Sequence, residues 1–251
     1  SEDCGIVNLS HFYMFDVEGP DHVALMEWLC AAKIGGDGNV GKGIYTHFLD
    51  DEGMVRADLT VIRMADRCRV VDGADAGPRD CHYVKRVAEE RGFDVTVTDV
   101  TEQYVTIGIW GPNARVTLQK VVEDADGLSP ENFPFAAIKP IRIAGKEVTA
   151  FRISYVGEQG WELHMRYEDG LAVWDALRAT GVMAFGVETY ANSRRMEKSL
   201  RLQNADLLTE YNLYEADLAR PKVKEADFRG KAKHLEYRER KNQPAMLCTL
   251  V

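Results

Sequence analysis

One short pattern occurs twice, roughly ninety residues apart, and constrains the fold of this chain more than any other feature. Phe15-Asp-Val-Glu-Gly-Pro-Asp21 leads into an amphipathic segment through Trp28 and Leu29. Ile107-Gly-Ile-Trp-Gly-Pro-Asn113 leads likewise into residues 114–122. Each reads as strand, Gly-Pro turn, helix, and proline suits the first helical turn because its missing N–H needs no partner there. Such a unit used twice implies two related α+β halves rather than one continuous parallel sheet. The alternative is a commonplace strand-to-helix turn that happens to recur.

The intervening sequence supports the first reading. Residues 43–48 and 59–64 alternate like strands around the turn Asp50-Asp-Glu-Gly53, and Val70-Val71 continues the β character. Gly77-Pro-Arg-Asp-Cys81 opens a helix that presents Cys81, Val84, Val87 and Ala88 on one face and stops at Gly92. Residues 94–101, 104–110 and 161–165 read as strands, and 141–143 with 148–155 as a hairpin about Gly145-Lys146. A helix is expected over 168–180 with Leu171, Trp174, Ala176 and Leu177 inward, and a further helical stretch over 188–200. The chain is polar and loop-rich from Leu207 to Lys231, which predicts a wrapping segment without a core of its own. The fold class is therefore α+β, mostly antiparallel sheet, with one unit over 1–100, a second over 101–205 and a wrapping segment over 206–251. The apolar run Ala245-Met-Leu-Cys-Thr-Leu-Val251 resembles a strand that pairs with something further on, so the chain is expected to be a fragment of a longer polypeptide.

Composition excludes several functions. A net charge of −9 argues against broad nucleic-acid binding, which needs a basic face. The cations Lys222, Lys224, Arg229, Lys231, Lys233, Arg238, Arg240 and Lys241 are interleaved with acids and read as a solvated surface. Five scattered cysteines without a C-x-x-C pair suggest neither a disulfide framework nor zinc, and point to reduced thiols of a cytoplasmic protein. No apolar run approaches the length of a membrane span. Nucleotide-binding glycine fingerprints, a Gly-x-Ser-x-Gly elbow and metal-ligand histidine spacing are all missing.

What remains is a pair of carboxylates in unusual settings. Asp58 stands at the start of a β-branched run in Gly53-Met-Val-Arg-Ala-Asp-Leu-Thr-Val61, and Glu162 re-emerges in a strand after Tyr155-Val-Gly-Glu-Gln-Gly-Trp161. Strands seldom carry acids inside, because a carboxylate neither fills a pleated surface nor loses its water cheaply. One reading has both facing water at strand ends. The other has them anchoring a ligand among Tyr45, Tyr155 and Trp161, since a carboxylate matches two parallel N–H donors on a flat heterocycle and aromatic walls clasp its faces. A second carboxylate beside a reacting nitrogen orients it, takes its proton or stabilises an iminium cation.

Six motifs in register carry a family resemblance. They are Gly5-Ile-Val-Asn-Leu-Ser10 with residues 15–20, Tyr45-Thr-His-Phe-Leu-Asp-Asp-Glu-Gly53 through Val61, and Trp110-Gly-Pro112. The others are Ser154-Tyr-Val-Gly-Glu-Gln-Gly-Trp-Glu-Leu163, Ser193-Arg-Arg-Met-Glu-Lys198, and Glu215-Ala-Asp-Leu218 with Asp227-Phe-Arg-Gly-Lys231. On these the chain resembles the folate-binding aminomethyltransferases: the T-protein of glycine cleavage and the C-terminal folate domains of dimethylglycine and sarcosine dehydrogenases and oxidases. The resemblance implies pseudo-symmetric α+β units around a central folate cleft, with tetrahydrofolate as cofactor. By it, Asp58 falls on the catalytic aspartate, Glu162 on the pterin-binding glutamate and Tyr45 on a folate-contacting tyrosine; Tyr155, Glu158 and Trp161 belong to the same binding loop. Ala191 occupies the place of an arginine that holds folate in glycine-cleavage T-proteins, which favours the dehydrogenase-associated branch. The implied activity is transfer of a one-carbon unit from a methylated amine to give 5,10-methylenetetrahydrofolate, downstream of an oxidising domain or subunit. Demethylation of a sulfonium or aryl ether, and a folate-binding module without chemistry, are the alternatives.

Overall fold

The structure, a computed structural model, describes residues 2–240 and 242–250; Ser1, Lys241 of the basic run and Val251 of the apolar run lie outside the described residues. In chain order the elements are β1 (Gly5–Asn8), β2 (Tyr13–Glu18), α1 (His22–Leu29), β3 (Lys42–Leu49), β4 (Val55–Arg63), β5 (Arg67–Asp72), α2 (Gly77–Arg91), β6 (Thr96–Asp99) and β7 (Tyr104–Trp110). They continue with α3 (Ala114–Gln119), β8 (Ile138–Ile143), β9 (Lys146–Phe151), β10 (Gly160–Arg166), α4 (Gly170–Arg178), β11 (Met183–Ala184) and α5 (Lys231–Glu239). One sheet has five strands in the order β3-β4-β5-β2-β6, the other six in the order β11-β1-β7-β10-β9-β8. Apart from the β1–β11 pair, the strand pairings are antiparallel.

The repeated pattern marks two equivalent units. Starting from each Gly-Pro strand, both sheets run in the same sense, β2-β5-β4-β3 and β7-β10-β9-β8. Both turns need glycine. Gly19 and Gly111 take φ of 119° and 139°, and an added Cβ would stand 2.6 Å from the Asp94 carbonyl and 2.1 Å from the Asp3 carbonyl respectively. Each proline sits in the turn just ahead of its helix.

The units are not consecutive in sequence. One comprises Ser1–Phe12 with Val100–Leu200, the other Tyr13–Asp99 with Arg201–Val251. This departs from boundaries at 100 and 205, and the reason is strand pairing: β1 bonds to β7 and β11 rather than to the strand that follows it. The expectation for the segment after 206 is also corrected. Leu207, Leu213, Ala216 and Phe228 form a small core with Leu49 and Val55, and the Val55 amide donates to the Tyr211 carbonyl at 2.8 Å. The cations of this segment are largely paired: Lys224 with Glu27, Arg229 with Asp51, and Lys233 and Arg240 with Glu236.

In the five-stranded unit, α1 and α2 cover one face of the sheet, burying Phe15, Leu25, Met26, Leu59, Val61, Val70 and Val84. Helix α2 closes as expected, on Gly92 in the left-handed region. In the six-stranded unit, Ile6, Ile107, Ile109, Leu163, Val173 and Leu177 share a core. Helix α4 presents the expected Trp174, Ala176 and Leu177 to the core, together with Val173. It begins at Gly170 after a 3₁₀ turn, Tyr167–Asp169, and of the residues expected inward Leu171 alone, in the first turn, is 71% exposed. The β8–β9 hairpin turns on Ala144-Gly145, one position earlier than expected, because both take positive φ (52° and 73°) as a two-residue turn of this kind demands. Over 188–200 the chain forms a π-helical turn, Thr189–Arg194, and a 3₁₀ turn, Met196–Lys198. Strand β9 ends at Phe151, so Tyr155 sits in the following loop and does not close a strand.

Behind the six-stranded sheet, on the face away from the Trp161 core, the indole of Trp110 lies flat across two glycines. A Cβ on Gly108 would meet its Cζ3 at 2.0 Å, and one on Gly160 its Cδ1 at 2.4 Å. The indole N–H donates to the Ile153 carbonyl at 2.7 Å, and its ring stacks on Tyr190 with centroids 5.3 Å apart. Gly108→Ala should therefore displace Trp110, destabilising the protein by about 1–3 kcal/mol, the usual cost of overpacking. Urea unfolding with near-ultraviolet circular dichroism checks this; an unchanged tryptophan signature at unchanged stability would contradict the packing described.

Candidate active site

In the five-stranded unit the site grows from one cross-strand pair. Antiparallel pairing of β3 and β4 sets His47 opposite Asp58, and alternation puts Tyr45, two residues before His47, on the same face. His47 Nε2 lies 3.1 Å from the Tyr45 hydroxyl and 3.7 Å from Asp58 Oδ1. The two rings meet edge to face at 4.9 Å. The Tyr45 hydroxyl also hydrogen-bonds Asp58. The Asp58 side chain is 11% exposed. Burial pushes its carboxyl up to about 7, against the opposing pull of the Tyr45 hydrogen bond. His47 moves the other way, down to about 3, through burial and then the positive charge of Arg220 and the nearby His234. Near neutral pH, then, His47 is uncharged and Asp58 is divided between acid and carboxylate. Asp72, at the end of β5, is buried beside Asp80 and faces Asp58; burial and these two acids raise its carboxyl as well.

In the six-stranded unit, alternation along β10 divides the predicted residues between two faces. Trp161, Leu163 and Met165 point into the core, while Glu162 and His164 point to the Trp110 face. Glu162 is 7% exposed. His164 Nδ1 bonds the Thr106 hydroxyl at 2.9 Å, and its Nε2 lies 3.4 Å from Glu162 Oε2 without a hydrogen-bond partner. Around them Trp110, Tyr155 and Tyr190 form an aromatic bed, with Tyr155 and Tyr190 rings 5.3 Å apart. The Tyr190 hydroxyl is raised well above the ordinary tyrosine range, by burial first and then by the Glu162 and Tyr155 charges. A buried carboxylate that accepts hydrogen bonds, an orphaned imidazole nitrogen and flat aromatic surfaces fit a planar heterocycle carrying adjacent N–H groups.

The structure thus brings Tyr45 and Asp58 together in one unit, and Glu162 and Tyr155 onto one face in the other. Glu158 is ion-paired to Arg194 at 3.2 Å, tying its loop to the π-helical turn. Trp161 is separated from Glu162 by the sheet itself: fully buried, it packs against Phe133 at 5.9 Å between ring centroids, and so serves the core rather than the Glu162 face. Sequence reasoning missed His47, His164, Trp110 and Tyr190. Both histidines were legible by alternation, each standing two residues after a singled-out residue. Tyr190 was not, because only the fold returns it to β7.

A family model described as the GCVT N-terminal domain matches residues 1–223. The chain belongs to this family. The chain is 34% identical over 235 residues to the mitochondrial dimethylglycine dehydrogenase of Rattus norvegicus, covering 90% of this chain and 27% of that protein. It is 30% identical over 218 residues to the aminomethyltransferase of Paraburkholderia phymatum, covering 86% of this chain and 58% of that one. The chain therefore spans about a quarter of the dehydrogenase and little more than half of the transferase. Among solved structures, glycine cleavage system aminomethyltransferase T from Bartonella henselae superposes with a TM-score of 0.80 at 23% identity, over 95% of this chain and 64% of that one, a likeness of fold. Among the described residues, no helix is long and apolar enough to cross a membrane.

The raised carboxyl of Asp58 has a consequence for stability. The unfolded residue titrates near 3.8 and the folded one near 7, so between these values the native state holds the extra proton. Stability contributed at this position is present below about pH 4 and is lost as pH rises to 7. Asp58→Asn removes the titration and should be the more stable protein above pH 7 by up to about 4 kcal/mol, at 1.36 kcal/mol per unit. The advantage should vanish below pH 4. Urea titrations of both proteins across pH 4–8 measure it, and a pH-independent difference would refute the buried-acid assignment.

Proposed function

We propose that this chain is a tetrahydrofolate-dependent one-carbon transferase. It takes the carbon of a methylated amine, delivered as iminium or formaldehyde by an oxidising domain or subunit, and yields 5,10-methylenetetrahydrofolate. The observation that carries this reading is Asp58: a strand carboxyl poised near neutrality beside Tyr45, in a chain of the GCVT N-terminal domain family. Bound tetrahydrofolate supplies N5 and N10, the two nitrogens that accept the carbon. As a carboxylate, Asp58 receives a proton at Oδ from a nitrogen that has become cationic. As the acid, it returns a proton to the departing amine or hydroxide. Closing both carbon–nitrogen bonds from an iminium releases one amine and one proton overall, and a group titrating near 7 serves both directions at neutral pH.

Tyr45 holds Asp58 by hydrogen bond and lines the approach to it. Glu162 accepts the paired N–H groups of the pterin edge, while Trp110, Tyr155 and Tyr190 offer faces for stacking. The named relatives support the amine branch: dimethylglycine dehydrogenase among the sequences, and a heterotetrameric sarcosine oxidase from Corynebacterium sp. U-96, whose structure shares the fold at a TM-score of 0.51.

Isothermal titration with tetrahydrofolate tests binding, and formaldehyde-dependent formation of the 5,10-methylene product tests transfer. Asp58→Ala should keep binding while losing turnover by about 10²–10⁴-fold, the usual worth of a general acid–base group. Glu162→Gln should weaken binding by about tenfold or more, as expected for one charge-assisted hydrogen bond. Failure to bind tetrahydrofolate would sink the proposal. Undiminished turnover in Asp58→Ala would leave a binding module, and 5-methyltetrahydrofolate as product would mark a demethylase.

A further inference from the structure

We infer that His47 is a positioning residue: its Nε2–H donates to the Tyr45 hydroxyl, which in turn donates to Asp58, so that the three side chains act as one directed hydrogen-bond relay. The inference deepens the reading of Asp58 given above and rests on it for its catalytic meaning.

The argument is one of counting hydrogens. A phenol has one O–H, and here the hydroxyl of Tyr45 bonds the Asp58 carboxyl while standing 3.1 Å from His47 Nε2. When Asp58 is ionised it can only accept, so the single hydrogen points to the carboxylate, the contact with His47 is made through an oxygen lone pair, and Nε2 carries the proton. The direct path from Nε2 to Asp58 Oδ1, at 3.7 Å, exceeds hydrogen-bonding distance, so the imidazole reaches the carboxylate through the tyrosine. His47 is 4% exposed and packed edge to face on the Tyr45 ring, which holds the ring plane that aims Nε2 at the hydroxyl.

The remaining neighbours favour the same arrangement. Arg220 and His234 face His47 from the 201–251 segment, and Lys222 lines the same small cavity. With cations on that side, His47 is held neutral and has a single N–H to give. Arg220 also donates to the Tyr45 backbone carbonyl, fixing the strand at this point. Asp72 faces Asp58 from β5, with Asp80 of α2 behind it, and the charges of Asp80 and Asp58 raise the Asp72 carboxyl, while what opposes ionisation of Asp58 is its own burial. The relay works against that burial: hydrogen bonds in series polarise one another and favour the ionised end. His47 thereby lowers the pH at which Asp58 becomes a carboxylate and fixes the direction in which Tyr45 presents its hydrogen.

The test uses amides as tautomer mimics. A glutamine amide reaches the place of Nε2–H; an asparagine amide reaches only that of Nδ1. The Asp58 midpoint is read from carboxyl ¹³C shifts in protein labelled at aspartate, with Asp58→Asn giving the assignment. His47→Gln should leave the midpoint near its wild-type value. His47→Asn and His47→Phe should raise it by about half a pH unit, the share of a charge-assisted bond that cooperativity supplies. In a Tyr45→Phe background His47→Asn should produce no further shift, because the relay is already cut. Equal midpoints in the glutamine and asparagine variants, or a shift that persists without the tyrosine hydroxyl, would overturn the inference. The acid limb of the transfer pH profile should move with the midpoint. If the midpoint moves while no transfer is measurable, the relay stands and the transferase reading fails.

Discussion

The register of two strands governs the chemistry of the five-stranded unit. Phe48 pairs with Ala57 and Leu49 with Val55, which leaves Arg56 as an extra residue in β4, and beyond this irregularity His47 meets Asp58. A slip of one residue would turn Asp58 to the helix-covered face and bring an apolar neighbour in its place. Bulges commonly re-aim side chains in this way. The carboxyl is held where water is scarce by a turn, a bulge and the pairing they enforce, and its elevated proton affinity follows from that placement.

The six-stranded unit solves a related problem by alternation. Each step along β10 changes face, so a tryptophan that anchors the core is followed by a carboxylate among aromatics, then a leucine, then a histidine. The two glycines beneath Trp110 extend this logic: without side chains of their own, they let one indole cover the area of several residues. Buried acids and orphaned polar atoms oppose stability. Their presence on both sheets is the kind of local conflict with folding rules that natural proteins tolerate where function requires it.

Much of this arrangement was legible in the sequence because it rests on local signals. The two Gly-Pro turns, the stop at Gly92 and the alternation about Asp50–Gly53 each report a backbone requirement that few residues satisfy. Asp58 and Glu162 stood out because acids are rare inside strands. What was not legible depended on distant partners. Leu171 stands outward in the first turn of α4, where a 3₁₀ turn delays the helix start to Gly170, a boundary that periodicity alone does not fix. Trp161 was grouped with Glu162 by adjacency, although adjacent strand residues point apart. The core within the 201–251 segment draws on Leu49 and Val55, more than 140 positions earlier, beyond the reach of any local window.

The pairing of β1 carries a consequence for how the molecule is made. Gly5 lies against Trp110 and Met183, so this strand meets β7 only after roughly a hundred further residues have been added, well before β11 arrives. At ordinary ribosomal speeds that is a wait on the order of 5–20 s. During it, the apolar residues Ile6 and Val7 have no sheet to join, while the strands and helices of the intervening unit are already complete as far as Asp99. The late arrival of β7 and β11 leaves β1 unpaired while the strands that follow it are already joined, and makes it a segment exposed to mispairing with another chain.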